Sequence, residues 1–288
     1  MKRTSVYMMT GFFFTLLTGS MLVIDGNTQK RWTSVTELAL NGLSSTSRQP
    51  PPINQPTTGI LMPLYMYPQV WILGNEYEQL ADIATAHPSV GITAIINPDS
   101  GPGTVQNIDY IQGISILKNA GIRVIGYVYT NYASRPIADV EADIDRYVSF
   151  YGSSISGVLF DEMSYTGGNE NYYKTLSNYA KSKGLTFTAG NPGTDTLPSY
   201  IGTVDTLNIY EGSGMPSLGY LSGGWHSNYS KQNFSFVAYG VPSLNQTYIT
   251  SAAKYVGYMS ITNDNLPNPY DTLPSYLEQL MTILEGTS

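Results

Sequence analysis

Three carboxylates stand where a short apolar run would hold them at the end of a strand. Asp161 and Glu162 directly follow Gly157-Val158-Leu159-Phe160, and Glu211 directly follows Leu207-Asn208-Ile209-Tyr210. Two acids facing each other across a cleft hydrolyse a glycosidic bond: one protonates the leaving oxygen while the other attacks the anomeric carbon or activates water, and no cofactor is needed. The chain is poor in charge, so such a coincidence carries weight. Only 12% of its 288 residues are Asp, Glu, Lys or Arg, where an average soluble domain carries about a quarter. Most of the remaining acids, such as Asp139, Glu141, Asp143 and Asp145, fall on segments of helical period and read as solvated helix faces.

Composition removes several other chemistries. There is no cysteine, so disulfides, thiolate nucleophiles, Cys-ligated zinc and iron–sulfur clusters are excluded. Two histidines, His87 and His226, cannot make a multi-histidine metal site. His87, before Pro88, reads as a helix end, and His226 as a solvated loop histidine. A serine hydrolase would need G-x-S-x-G; the nearest stretch, Glu211-Gly212-Ser213-Gly214, lacks that spacing. The residues therefore imply neither a metal nor a cofactor. A net charge of -7 argues against nucleic acid, whose binding draws on Lys and Arg neutralising phosphates, and against an anionic membrane surface. The 24 tyrosines suit stacking on neutral polar ligands.

The elements that position these residues repeat one pattern after Gly59: a short β-rich apolar run, a Gly/Pro/Asn loop, then a segment of helical period. Strands are expected over 60–67, 92–97, 123–129, 156–161, 185–189, 203–210, 234–239 and 255–260. Helical segments are expected over 76–87, 105–120, 137–151, 169–183, 198–201, 216–221, 246–253 and 272–284. Eight such units specify a (β/α)8 TIM barrel as a single domain over 59–288. A doubly wound sheet would carry a Gly-rich phosphate turn after its first strand, and Tyr65-Met66-Tyr67-Pro68-Gln69 is not one. Gly91, Gly121 and Gly184 sit between helix and strand, where a C-cap calls for positive φ.

Catalysis in such barrels sits at the carboxyl ends of the strands. The residues expected there are Tyr65, Tyr67, Asn97, Tyr127, Tyr129, Asp161, Glu162, Asn191, Glu211 and Tyr239, with Trp225 in a following loop. Exposed tyrosine and tryptophan faces suit sugar rings, although ordinary packing accounts for about half of such residues. Arg135 reads equally well as an anion clamp or as a structural ion pair. Ser100-Gly101-Pro102-Gly103 reads as a plain turn or a small anion nest. Alternation along 157–161 points Gly157, Leu159 and Asp161 inward if Val158 and Phe160 pack on the helices. Acids on the fourth and sixth strands would then meet at about 5 to 5.5 Å, the spacing of a retaining enzyme.

Ahead of the barrel, Lys2 and Arg3 precede an apolar run over 6–24, the order of a secretory signal. Residues 1–25 are thus expected to be a signal peptide or a membrane anchor, the two alternatives standing level. Residues 26–58, with Ser44-Ser45-Thr46-Ser47-Arg48-Gln49-Pro50-Pro51-Pro52, read as a flexible linker, with one or two helical turns over 36–43. Three N-x-S/T sequons begin at Asn228, Asn233 and Asn245, compatible with export.

Several stretches together resemble the spherulin-4-like family of exported barrel proteins. They are Pro63-Leu64-Tyr65-Met66-Tyr67-Pro68 with Trp71, Ile95-Ile96-Asn97-Pro98-Asp99-Ser100-Gly101-Pro102-Gly103, and Gly126-Tyr127-Val128-Tyr129-Thr130 with Tyr132 and Arg135. Gly157-Val158-Leu159-Phe160-Asp161-Glu162, Asn208-Ile209-Tyr210-Glu211 and Asn268-Pro269-Tyr270-Asp271-Thr272-Leu273-Pro274 complete the set. The resemblance implies an endo-acting glycoside hydrolase of galactosamine-containing extracellular polysaccharides, with Asp161, Glu162 and Glu211 matching the family's catalytic acids. The expected roles are Asp161 as nucleophile, Glu211 as general acid/base and Glu162 as a supporting acid, with polysaccharide as partner and a secreted or cell-surface location. A surface or coat protein that binds glycan without cutting it is the alternative, and it would leave the acids too far apart to cooperate.

Overall fold

The computed structural model describes residues 20–23, 31–34 and 57–287, and the chain divides into two units, Met1–Gln49 and Pro50–Ser288. In the first unit β1 (Ser20–Val23) pairs antiparallel with β2 (Arg31–Ser34), Ser20 opposite Ser34 and Val23 opposite Arg31. Thr57 and Thr58, expected to end the flexible linker, are instead buried beside the first barrel strand, and the rest of the expected leader and linker, including the turns over 36–43, lies outside the described residues. Among those described, no helix is long and apolar enough to cross a membrane.

The second unit is a closed barrel of eight parallel strands. They are β3 (Gly59–Leu64), β4 (Ile92–Ile96), β5 (Arg123–Tyr129), β6 (Gly157–Asp161), β7 (Phe187–Asn191), β8 (Thr206–Ser213), β9 (Phe234–Tyr239) and β10 (Tyr258–Ile261), with β10 closing on β3. The connections carry α1 (Glu76–Ala86), α2 (Ile108–Asn119), α3 (Ile137–Tyr151), α4 (Glu170–Ser182), α5 (Leu218–Ser222), α6 (Gln246–Ala252) and α7 (Leu277–Glu285). A single 3-10 turn, Pro198–Tyr200, takes the place of the helix between β7 and β8. Asparagine side chains cap three of the helices: those of Asn75, Asn107 and Asn245 accept backbone N–H groups of α1, α2 and α6, which would otherwise have no partner.

Alternation along the strands divides the core in two. Leu61, Ile95, Ile125, Leu159, Phe187 and Ala189 fill the barrel, while Met62, Leu64, Ala94, Val124, Val158 and Phe160 pack outward with the helices. Asp161 follows Leu159 by two residues and so faces the barrel axis. Close packing of β6 on β7 depends on Gly157, where a Cβ would come within 2.0 Å of the Phe187 carbonyl oxygen.

Three sequence expectations need adjustment. Gly121 and Gly184 have φ of 83° and 89°, as a helix C-cap asks, but Gly91 is not among the positive-φ glycines, because α1 already ends at the C-cap His87. The fifth strand occupies Phe187–Asn191, two residues later than its apolar pattern suggested, which preserves the parity of its inward positions. Residues 272–276 are loop rather than helix: Asn263 Oδ1 accepts the Ser275 N–H at 2.8 Å, and Thr272 donates to Asp264. The long connection after β10 therefore folds over the mouth of the barrel.

At the other end, Thr58 is fully buried, with its hydroxyl 2.8 Å and 2.7 Å from the carbonyl oxygens of Ala253 and Val256. Replacing it takes this donor from the Val256 carbonyl, while Lys231 still donates to that of Ala253 at 3.0 Å, so Thr58→Ala should lower stability by about 1–3 kcal/mol. Urea unfolding of the two proteins checks this; equal midpoints would refute it.

Candidate active site

The strand ends bring Asp161, Asn191, Asn208 and Glu211 into one cleft, with Tyr65 and Tyr270 on its wall and Leu61, Ile95 and Leu159 beneath. Asp161 closes β6 and is paired in register with Tyr129 on one side and Asn191 on the other. Glu211 reaches the same cleft by a different route. Strict alternation would send Tyr210 inward with Asn208 and leave Glu211 outside. The pairing of β8 with β9 slips between Asn208 and Glu211, and this bulge reverses the facing. Tyr210 instead packs against the outer core.

One amide joins the two acids. Asn191 Nδ2 donates to Asp161 Oδ1 at 2.8 Å and to Glu211 Oε2 at 2.7 Å. These two oxygens therefore stand no more than 5.5 Å apart, the two bonds laid end to end. The amide cannot turn over, because its oxygen accepts from Asn208 Nδ2 at 2.9 Å and from the Gly193 N–H at 3.0 Å. Tyr127 and the backbone at Glu162 lie close enough to Asp161 to lower its carboxyl. Tyr270 donates its hydroxyl to Glu211 Oε1. Burial, with the negative charge of Asp161 and Glu211 nearby, pushes the phenols of Tyr65, Tyr127 and Tyr270 up, so all three stay protonated. The rings of Tyr127 and Tyr270 meet that of Tyr65 edge to face at 5.7 Å and 5.6 Å. Burial also raises Asp161, to about 6, against the opposing pull of Tyr127 and Asn191 and with a further push from Glu211.

Glu162 lies beside the cleft with a left-handed backbone, φ 48°, an unusual conformation for a residue other than glycine. Its carbonyl accepts from Thr130 Oγ1 at 2.9 Å and from the Tyr132 N–H at 2.7 Å. Tyr239 closes β9 and stands near enough to Tyr270 to contribute to its raised phenol.

The other expected residues are engaged elsewhere. Arg135 pairs with Asp143 at 2.6 Å and stacks 4.3 Å over the Tyr129 ring, which is the structural ion pair of the two readings. Asn97 Oδ1 accepts the Gly101 N–H at 2.9 Å, closing the 98–103 segment as a turn. Tyr67 donates to Asp109 Oδ2 at 2.6 Å, and Trp225 packs on His226 and Phe234. His226 is not a solvated loop residue as expected. It is buried, with Nε2 2.9 Å from Asp195 Oδ1 and its ring among Trp225, Tyr220 and Phe234. The Gly/Ser/Asn loop that suggested exposure coils into a short 3-10 turn, Gly224–Asn228. Among the described residues no three His, Asp or Glu side chains are grouped to hold a metal. Asn208 and Tyr270 were missed in the sequence, although both lie in stretches already marked.

The raised carboxyl of Asp161 makes stability depend on pH. A folded-state value near 6 against an ordinary 3.8 means that the native protein holds the proton more tightly, an advantage complete below about 4 and lost as pH rises through about 6. Asp161→Asn has no such loss. The melting temperature of the variant relative to the natural protein should therefore climb between pH 4 and 7, by an amount equivalent to at most roughly 3 kcal/mol. A difference that stays flat across this window would disprove the assignment.

Residues 59–284 match spherulation-specific family 4, Spherulin4. Spherulin-4 of Physarum polycephalum is 32% identical over 239 residues, covering 76% of this chain and 68% of its own length. Among solved structures, Sph3 of Aspergillus clavatus in complex with GalNAc superposes with a TM-score of 0.68 over 80% of this chain and 98% of its own, at 23% identity, a likeness of fold. The family match begins with the first barrel strand and ends in the last helix, so that it takes in every strand end that builds the cleft: the chain belongs to spherulation-specific family 4.

Proposed function

We propose that this protein is an exported glycoside hydrolase that cuts internal bonds of a polysaccharide by a retaining, two-carboxylate mechanism. The Asn191 bridge carries the reading. It holds Asp161 and Glu211 within 5.5 Å, which suits direct attack on the sugar, whereas an inverting pair stands roughly 6.5 to 9.5 Å apart to admit a water. A binder that does not cut has no need of such a pair. Galactosamine or N-acetylgalactosamine units are the proposed substrate class, supported by the resemblance in the sequence and by the GalNAc bound to Sph3. Export rests on the basic pair and apolar run of residues 1–25, as signal or anchor, with the stretch from 26 up to the buried Thr57 as linker.

Asp161 is the nucleophile. The Asn191 amide donates to this short side chain on a rigid strand end, with Tyr127 and the backbone at Glu162 close by, as an attacking oxygen requires. In the first step Asp161 Oδ forms an ester with the anomeric carbon while Glu211 gives its proton to the departing glycosidic oxygen. Glu211, now ionised, then takes a proton from water, whose oxygen attacks the anomeric carbon and releases Asp161. Glu162 is a supporting acid that adds negative field at the sugar. A raised carboxyl is also the mark of a proton donor, which would exchange the two roles, and the sign of the pH dependence separates them. With Asp161 attacking as the anion, kcat/KM should rise through about pH 6, the value to which burial pushes it; a rate that falls through that value gives the attack to Glu211.

Asp161→Asn and Glu211→Gln should each lower kcat on N-acetylgalactosamine polymer by several orders of magnitude, since each keeps shape and deletes charge or proton. The first-formed product should keep its anomeric configuration by NMR. Undiminished turnover in either variant, or an inverted product, would overturn the mechanism.

A further inference from the structure

Beside the cleft the turn after β5 holds three successive residues in the left-handed region: Asn131, Tyr132 and Ala133, with φ of 47°, 54° and 68°. Asparagine tolerates this conformation, but tyrosine and alanine are disfavoured in it. Strain of this kind persists only where the surroundings enforce it. Here they do: the Tyr132 N–H donates to the Glu162 carbonyl at 2.7 Å, the Thr130 N–H to the Asp161 carbonyl at 2.9 Å, and the buried Thr130 hydroxyl lies within 3.0 Å of both oxygens. The turn is thus locked to the backbone of the two strand-end acids.

What the locked turn presents is an aromatic ring in water. Tyr132 is 49% exposed and Tyr165, three residues after Glu162, is 48% exposed. Their rings meet at 81° with centroids 6.2 Å apart, forming an open corner. Neither ring belongs to the core, unlike Trp225 in its packed cluster, and among the described residues neither hydroxyl has a partner as that of Tyr67 has in Asp109. An exposed aromatic corner fixed rigidly to a polysaccharide cleft offers what a neutral pyranose needs: an apolar face for its C–H face and hydroxyls at the rim.

We propose that Tyr132 and Tyr165 form an outer sugar-binding platform, stacking a neutral pyranose of the polymer beyond the units that flank the bond being cut. This rests on the glycoside hydrolase reading and extends it. The platform makes the protein favour long chains over short ones, and its rigidity spares part of the ordering that a flexible loop would undergo on binding.

The test compares Tyr132→Gly, Tyr165→Ala and the double variant with the natural protein, on short and on long N-acetylgalactosamine oligomers. The ratio of kcat/KM for long over short oligomers should fall about five- to ten-fold for each single variant, mainly through KM. Tyr132→Gly should keep or raise the melting temperature, because glycine accepts the left-handed backbone; a purely structural tyrosine would show a lowered one. An unchanged long-to-short ratio in all three variants overturns the proposal. Binding of the long oligomer in a Glu211→Gln background separates the two levels of inference. Binding that depends on Tyr132 and Tyr165 in a protein whose natural form cleaves nothing sinks the hydrolase reading and leaves the platform standing. Absence of both cleavage and binding overturns both.

Discussion

The cleft depends on one side-chain amide. Two carboxylates 5.5 Å apart at most would, whenever both are ionised, repel by about 3 kcal/mol at an effective dielectric constant near 20, more than a marginally stable barrel readily absorbs. Asn191 answers this with its two N–H bonds, one to each acid, and hydrogen bonds to charged groups contribute about 1.5–3 kcal/mol each. The amide does this only in one orientation, and Asn208 with the Gly193 N–H sets that orientation by filling its oxygen. Asn208 is almost wholly buried, so its own placement is fixed by the barrel. The chain of cause runs from strand packing through two asparagines to the carboxylates.

Much of this was legible in the sequence. The apolar runs and the Gly/Pro/Asn loops gave the barrel, because each strand and helix obeys its own period. Alternation placed Asp161 inward only on the condition that Val158 and Phe160 pack on the helices, a condition the barrel meets. Glu211 could be placed at a strand end but not on a face, since the slip in β8 that turns it inward arises from pairing with β9 and leaves no periodic trace. Tyr270 was hidden for a related reason. It sits on a loop 59 residues from Glu211, and its position follows from the Tyr65 N–H bonding the Tyr270 carbonyl at 3.0 Å, a contact between the first and last barrel strands' loops. Arg135 and His226 show the converse. Both carry chemistry-capable groups near strand ends, yet a neighbouring acid, Asp143 or Asp195, takes each of them.

The scarcity of charge also acquires a physical reason. Asp161 sits deep enough for burial to raise it to about 6, and more formal charges around the cleft would pull it up or down in step with each of them. Tyrosines avoid that. Their phenols donate hydrogen bonds without carrying charge, and burial with nearby carboxylates pushes them further from ionisation. A wall of such donors orients carboxylates and presents apolar ring faces to a sugar at once. Phosphate recognition would have required the opposite composition, with cations in the place of phenols.

The two acids differ in what holds them, and the proposed mechanism would give that difference a use. Asp161 is gripped by a strand end: its backbone carbonyl accepts the Thr130 N–H, and its carboxylate takes the Asn191 amide of β7 as donor. Glu211 has a longer side chain at a bulge, and one of its two donors, Tyr270, comes from a loop rather than a strand. A nucleophile works best when it cannot move, since misplacement by an ångström removes much of the benefit of proximity. An acid/base must instead serve the leaving oxygen first and an incoming water second, from positions that are not identical. In the proposed mechanism the strand end would anchor the nucleophile, and the bulge with its loop tyrosine would anchor the acid/base.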